Sequence, residues 1–93
     1  MNGVFFKLAW KQANAGYVTE SIASMQRIKD PNLRLMCMAR IAQSAGHAGK
    51  HLSELKNWID SFPPGPVRAG TYGYVANGII NARTNTPDDS LGP

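Results

Sequence analysis

The sequence predicts an all-α fold built from about five antiparallel helices in one small domain. Apolar residues recur at the three- and four-residue spacing of amphipathic helices along most of the chain. Gly- and Pro-containing turn signals separate these periodic segments. Runs of β-branched or aromatic residues with the two-residue alternation of strands are absent from the sequence. The chain has 93 residues, which is the usual length of a single domain.

The first two helices are predicted to be separated by a turn at Gly16. The first ends close to this glycine, which suits the left-handed conformation that follows many helices. The second is predicted over residues 18–29. Its apolar residues, which have helical spacing, are Val18, Ile22, Met25 and Ile28.

The third and fourth helices each have a recognisable boundary. Asp30-Pro31 is a typical helix start, with Asp as the N-cap and Pro at the first helical position. The third helix is predicted to end at Gly46. The fourth is predicted to stop at Pro63-Pro64-Gly65-Pro66, because proline has no backbone N–H to donate. Its apolar residues are Leu52, Leu55, Trp58, Ile59 and Phe62.

The fifth helix is predicted over residues 67–82, although it contains three glycines that each cost about 1 kcal/mol relative to alanine. Residues 84–93 are polar and Pro-containing, and we expect them to form a flexible C-terminal tail. The helical domain therefore covers residues 1–83.

Composition restricts the compartment and the class of partner. No apolar run is long enough to span a bilayer, and the N-terminus has no signal-peptide pattern. A single cysteine excludes an internal disulfide, so we expect a cytoplasmic protein. Residues 1–83 carry ten basic and four acidic residues, a net charge of +6. Such a basic surface attracts acidic proteins or nucleic acid.

An internal repeat is visible at an offset of 30 residues. Ala15-Gly16 aligns with Ala45-Gly46, and Asp30 aligns with Asp60. Apolar positions between these pairs align as well. A partial third copy aligns Arg34 with Arg68 at an offset of 34. The pattern predicts two helical hairpins and a further helix that bury their apolar faces by stacking.

These features resemble the tetratricopeptide repeat, present here in about two and a half copies. The residues that match the repeat are Phe5, Leu8, Ala9 and Gly16 in the first copy, Leu35, Met38, Ala39, Ala42 and Gly46 in the second, and Tyr72, Gly73 and Ala76 in the half copy. Gln12 and His51 replace small residues of the motif. Pentatricopeptide-like or HEAT-like hairpin stacks, and a plain five-helix bundle, are alternative interpretations.

The resemblance implies a concave groove lined by the first helix of each repeat. The residues that it places in the groove, as partner-binding candidates, are Phe6, Trp10, Met36, Arg40, Gln43, Tyr74 and Asn77. Basic residues that could form a patch near it are Lys7, Lys11, Arg34 and Arg68. Trp10 and Phe6 could instead belong to the core, because the first helix is apolar almost all round at its start.

The sequence contains no catalytic motif, so we expect no enzyme activity and no cofactor. Asp30 and Asp60 are explained as helix-capping residues. His47 and His51 lie four residues apart on one predicted helix and could supply two metal ligands from one face, but a third ligand is not evident, and we expect no metal site. Cys37 is expected to serve in packing.

Three functions fit these features. The first is a protein–protein interaction module, such as an adapter, chaperone or inhibitor, which binds an acidic protein or an amphipathic helix in the groove. The second is binding of single-stranded RNA by basic and aromatic side chains. The third is a purely structural homodimer.

Overall fold

The structure is a computed structural model, and it describes residues 2–84. This part of the chain folds into five α-helices without any strand, as the sequence predicts. Their bounds are α1 Asn2–Asn14, α2 Val18–Met25, α3 Pro31–Ala48, α4 Leu52–Asp60 and α5 Pro66–Thr84. Within 2–84, none of the helices has the length and apolar character needed to cross a bilayer. The predicted tail falls outside the described residues, apart from Thr84.

Helix α3 is the centre of the fold, because it packs against all four other helices. Helices α1 and α5 contact opposite sides of it and do not contact each other in the described part of the chain. Helix α2 packs on α1, α3 and α4, and α4 also packs on α5. The helices therefore form two layers, with α1, α3 and α5 in one and α2 and α4 in the other.

The core lies between these layers and consists of two clusters. The first joins α1, the end of α2 and α3, and its buried residues are Ala9, Ala13, Met25, Ile28, Cys37 and Ile41. The second lies between α2, α3, α4 and α5, and its buried residues are Val18, Ala45, Leu55 and Ile59. Residues of the stripes predicted for the second and fourth helices occur in these clusters, namely Val18, Met25, Ile28, Leu55 and Ile59, whereas Leu52 of the fourth stripe is 37% exposed.

Small residues allow α1 and α2 to pack closely. Ser21 is fully buried, and its hydroxyl donates to the Ala9 carbonyl at 2.7 Å. The Ser24 hydroxyl donates to the Gln12 side-chain carbonyl at 2.6 Å. Gln12, which departs from the small residue of the repeat, thus has a specific hydrogen-bonding role in this hairpin.

The prediction that α3 ends at Gly46 is wrong. The helix continues to Ala48, and Gly49 adopts the left-handed conformation (φ 70°) that terminates it. Gly46 instead faces α5, where a Cβ atom would lie 2.6 Å from the Val75 carbonyl oxygen. The two aligned glycines therefore differ in role, because Gly16 does occupy a left-handed turn (φ 88°).

The link between α2 and α3 is only partly as predicted. Helix α2 ends at Met25 rather than near residue 29, and turns continue to Ile28. The predicted N-cap is confirmed, since the Asp30 carboxylate accepts the backbone N–H groups of Asn32 and Leu33. The Arg34 guanidinium donates twice to the Ile28 carbonyl, at 2.9 and 2.6 Å. Arg34 therefore ties α3 to the end of the preceding segment.

Asp60 is not a helix cap, contrary to the prediction. It is the last residue of α4, and its carboxylate accepts from Lys56 Nζ at 2.6 Å and from Arg68 Nη2 at 3.3 Å. The Tyr72 hydroxyl also donates to it. Because Arg68 and Tyr72 belong to α5, this cluster joins α4 to α5 across the Pro-rich loop.

Candidate functional site: a groove across helices α1, α3 and α5

A groove follows the outer face of the layer formed by α1, α3 and α5. Its larger part, about 630 Å³, lies between the N-terminal halves of α3 and α5. The large apolar side chains that line it are Leu35, Met36, Met38, Val67 and Tyr74. Four of them are at least 45% exposed, the exception being Met38, which also packs on the core. Exposed apolar side chains gathered in one concavity are typical of interaction surfaces.

The second part of the groove, about 300 Å³, is polar and lies where α1, α3 and α5 come together. Its lining residues are Trp10, Asn14, Arg40, Gln43, Ser44, His47, Gly78 and Asn81. Arg40 and Gln43 line both parts, so the apolar and polar parts are continuous along α3.

Trp10 belongs to this groove and is absent from both core clusters. Its side chain is 38% exposed, and the Arg40 guanidinium lies over its ring at 5.1 Å from the centroid. This cation–π contact links α1 to α3 and holds a cation beside an accessible indole. The structure therefore favours the groove interpretation of Trp10 over the core interpretation.

On α1, Lys7 lies about one helical turn before Trp10, and Lys11 directly follows it. With Trp10 and Asn14 they line a further shallow concavity of about 320 Å³. Both lysines are exposed, and no carboxylate among residues 2–84 lies within ion-pair distance of them. The polar part of the groove is consequently bordered by three cations, Lys7, Lys11 and Arg40.

Of the other residues that were predicted to bind a partner, some line the groove and others do not. Met36, Gln43 and Tyr74 line the groove as expected. Phe6 is half-buried and packs against the first core cluster. Asn77 is exposed on α5 but lines none of the concavities described here. The donors of Arg34 and Arg68 are directed to Ile28 and Asp60, respectively, so these two arginines serve helix packing.

Sequence reasoning missed Leu35 and Val67 as groove residues. Leu35, which matches the repeat motif, is 50% exposed, and Leu33 packs on the core. Val67 lies in the first turn of α5, directly after the Pro-rich loop. Its contact with α3 depends on how that loop places α5, which the local pattern does not reveal.

Of the remaining candidates for chemistry, His47 lines the polar part of the groove, whereas Cys37 and His51 do not line it. Cys37 is fully buried, and burial raises the pKa of its thiol to about 11, which confirms a packing role. His47 and His51 do not share a helix, because α3 ends at Ala48 and His51 precedes α4 with a positive φ. Over residues 2–84, no group of three potential metal ligands comes together.

Comparison of the chain with protein-family models, curated protein sequences and solved structures gives no match.

Proposed function

We propose that this protein is a small protein–protein interaction module that binds a segment of a partner protein in the groove across α1, α3 and α5. The observation that carries the proposal is the groove itself. Exposed Met36, Val67 and Tyr74 line its apolar part, and Trp10 and Arg40 lie beside it in the polar part. Aromatic, Met and Arg side chains are enriched in protein interfaces, where they supply most of the binding energy.

We also propose that the helices form tetratricopeptide-like repeats in about two and a half antiparallel hairpins. The order of helix contacts supports this, because each helix packs only on the next helix or on the one after it. Such nearest-neighbour packing is the behaviour of helical-repeat proteins. A small repeat protein of this kind would act as a cytoplasmic adapter, chaperone or inhibitor.

A homodimer is a second candidate, favoured by exposed apolar side chains at both ends of the layer. Val4 and Leu8 on α1 are 61% and 43% exposed, and Ile80 on α5 is 55% exposed. Light scattering tests for the homodimer, because a protein that stays monomeric at high concentration excludes it.

The test of groove binding is a pull-down from nuclease-treated lysate of the source cells. The wild-type protein is compared with the double variant Trp10→Ala/Arg40→Ala. Tyr17→Ala/Lys50→Gln is the matched control, because it also removes one exposed aromatic ring and one cation, outside the groove. We expect a protein that is recovered with the wild type and the control but not with the groove variant. Equal recovery with all three would contradict the proposal. A protein that is recovered only when the nuclease is left out would favour RNA binding.

A further inference from the structure

We infer that the groove selects a partner segment of two parts, an apolar stretch followed or preceded by acidic residues, and that Arg40 lies at the boundary between them. This inference rests on the proposed function and specifies the chemistry of the partner. It follows from how charge and apolar surface are distributed over the helices.

Charge is segregated between the two helix layers. Helices α1, α3 and α5 carry six basic residues and not one Asp or Glu. Glu20, Glu54 and Asp60 lie on α2 and α4. The fourth acid of the described residues, Asp30, precedes α3 and accepts hydrogen bonds at its N-terminus. The charged side chains of the helices that carry the groove are therefore all basic, and they favour an acidic ligand.

Within that layer the available cations are concentrated at one end. Arg34 and Arg68, near the apolar part, donate to Ile28 and Asp60. Arg40 lies over Trp10 in the polar part, and Lys7 and Lys11 line the adjoining concavity on α1. The sixth basic residue, Arg83, lies in the last turn of α5. Acidic side chains of a ligand would thus meet exposed cations only at the polar end.

The opposite end of the groove suits apolar side chains. Met36, Val67 and Tyr74 are 60%, 51% and 45% exposed, and they lie against the glycine- and alanine-containing walls of α3 and α5. Met adapts its shape to different apolar partners, whereas Tyr and Val are more rigid. The distance along α3 from Met36 to His47 corresponds to about 17 Å of helix. A helical segment of about 12 residues covers this length.

A peptide fits these features better than single-stranded nucleic acid. Nucleic acid requires phosphate contacts spread along the whole path and open aromatic faces for base stacking. Here the exposed cations are confined to one end, and Arg40 already lies over the Trp10 ring. Among the residues that line the apolar part, Arg40 is the one cation, so a phosphate backbone would find few contacts along that part.

The test begins with selection from a displayed library of random peptides of about 12 residues, long enough to follow the groove. Peptides that bind the wild-type protein are kept, and those that still bind the double variant Met36→Ser/Arg40→Gln are removed. We expect the remaining peptides to combine an apolar block with an acidic block. One of them is then synthesised beside a second version in which Asn and Gln replace Asp and Glu.

The affinities of both synthetic peptides are measured by fluorescence anisotropy. Arg40→Gln should lower the affinity for the acidic peptide at least about fivefold and the affinity for the amide version much less. This double-mutant cycle identifies a contact between Arg40 and the acidic side chains of the peptide. Lys50→Gln, which removes an equal charge outside the groove, should change neither affinity by more than about twofold. Raising the salt concentration should lower the affinity for the acidic peptide and leave the affinity for the amide version unchanged.

Three results would overturn the inference, and they are distinguishable from one another. Enriched peptides without excess Asp or Glu that still require Met36 would leave the proposed function standing and remove the acidic requirement. If no selected peptide depended on the groove, both the proposed function and the acidic requirement would be contradicted. Finally, an oligouridine and the unlabelled peptide can be compared as competitors of the labelled acidic peptide. Displacement by the oligouridine at the lower concentration would assign the groove to nucleic acid.

Discussion

Gly78 in α5 lies so close to Gln43 in α3 that an added Cβ atom would overlap the Gln43 carbonyl oxygen. Gly46 makes the reciprocal approach, since its Cβ atom would lie 2.6 Å from the Val75 carbonyl oxygen. The two glycines bring the backbones of α3 and α5 together beneath the groove. Because the Gln43 side chain lines both parts of the groove, this close approach also determines the shape of the candidate site.

Substitution of Gly78 by alanine should therefore destabilise the fold. The methyl group meets a backbone oxygen, which cannot move away as a flexible side chain can, so we expect a loss of about 1–3 kcal/mol in the free energy of unfolding. Urea denaturation followed by circular dichroism measures this loss. Gly73→Ala is the matched control, because open space surrounds that position. It should be neutral or stabilising by up to about 1 kcal/mol, and equal effects at both sites would contradict the close packing.

Arg34 and Arg40 occupy the same helix and should behave differently. Arg34→Gln removes two hydrogen bonds to the Ile28 carbonyl and should cost about 1 kcal/mol of stability. Arg40→Gln, at an exposed position over Trp10, should change stability by less than about 0.5 kcal/mol while weakening groove binding. Thermal denaturation of the two variants provides the comparison. A larger stability loss for Arg40→Gln would show that this arginine is structural.

The Asp60 cluster should contribute a pH-dependent part of the stability. Hydrogen bonds from Lys56 and from the Tyr72 hydroxyl, together with the Lys56 and Arg68 charges, lower the pKa of Asp60 from 3.8 to about 2. A carboxyl whose pKa is lowered on folding stabilises the protein above its unfolded pKa. This contribution is lost as the pH falls from about 4 to about 2.

Denaturation of the wild type and of Asp60→Asn at several acidic pH values tests this contribution. The difference in stability between the two proteins should shrink as the pH falls through that range. Titration of the Asp60 carboxyl carbon by NMR measures the pKa of this carboxyl directly. A midpoint at the ordinary value, with a constant stability difference, would refute the account of the cluster.

Much of the fold could be predicted because local signals determine it. Most apolar residues with helical spacing in α2 and α4 lie on inner faces, and Asp30-Pro31 and Gly16 mark boundaries by their backbone requirements. Gly46 shows the limit of this reasoning. A glycine inside a helix and a glycine that ends one look alike in sequence, and only the approach of α5 distinguishes them.

The candidate site could be predicted in part for the same reason. The resemblance to tetratricopeptide repeats places Trp10, Met36, Arg40, Gln43 and Tyr74 in one groove, and in the structure these five side chains line adjoining concavities. It does not predict that Arg34 and Arg68 are occupied by hydrogen bonds to other segments. Those contacts depend on the irregular chain after α2 and on the Pro-rich loop, which have no periodicity to interpret.

The most direct test of the account compares the two tryptophans. Trp58 is half-buried, packs on both core clusters and meets the Phe62 ring edge-on at 5.1 Å, whereas Trp10 lines the groove. Trp58→Ala should lower the free energy of unfolding by about 2–4 kcal/mol. Trp10→Ala should keep the helicity and cost less stability than Trp58→Ala, yet reduce affinity for a groove-selected peptide by at least about 1–2 kcal/mol.

The measurement to make is the unfolding free energy and the peptide affinity of Trp10→Ala in the same preparation. A stable, helical variant with about tenfold weaker binding is the result that a binding groove predicts. A variant that unfolds would show that Trp10 belongs to the core, and a stable variant with unchanged affinity would show that the groove is not the binding site.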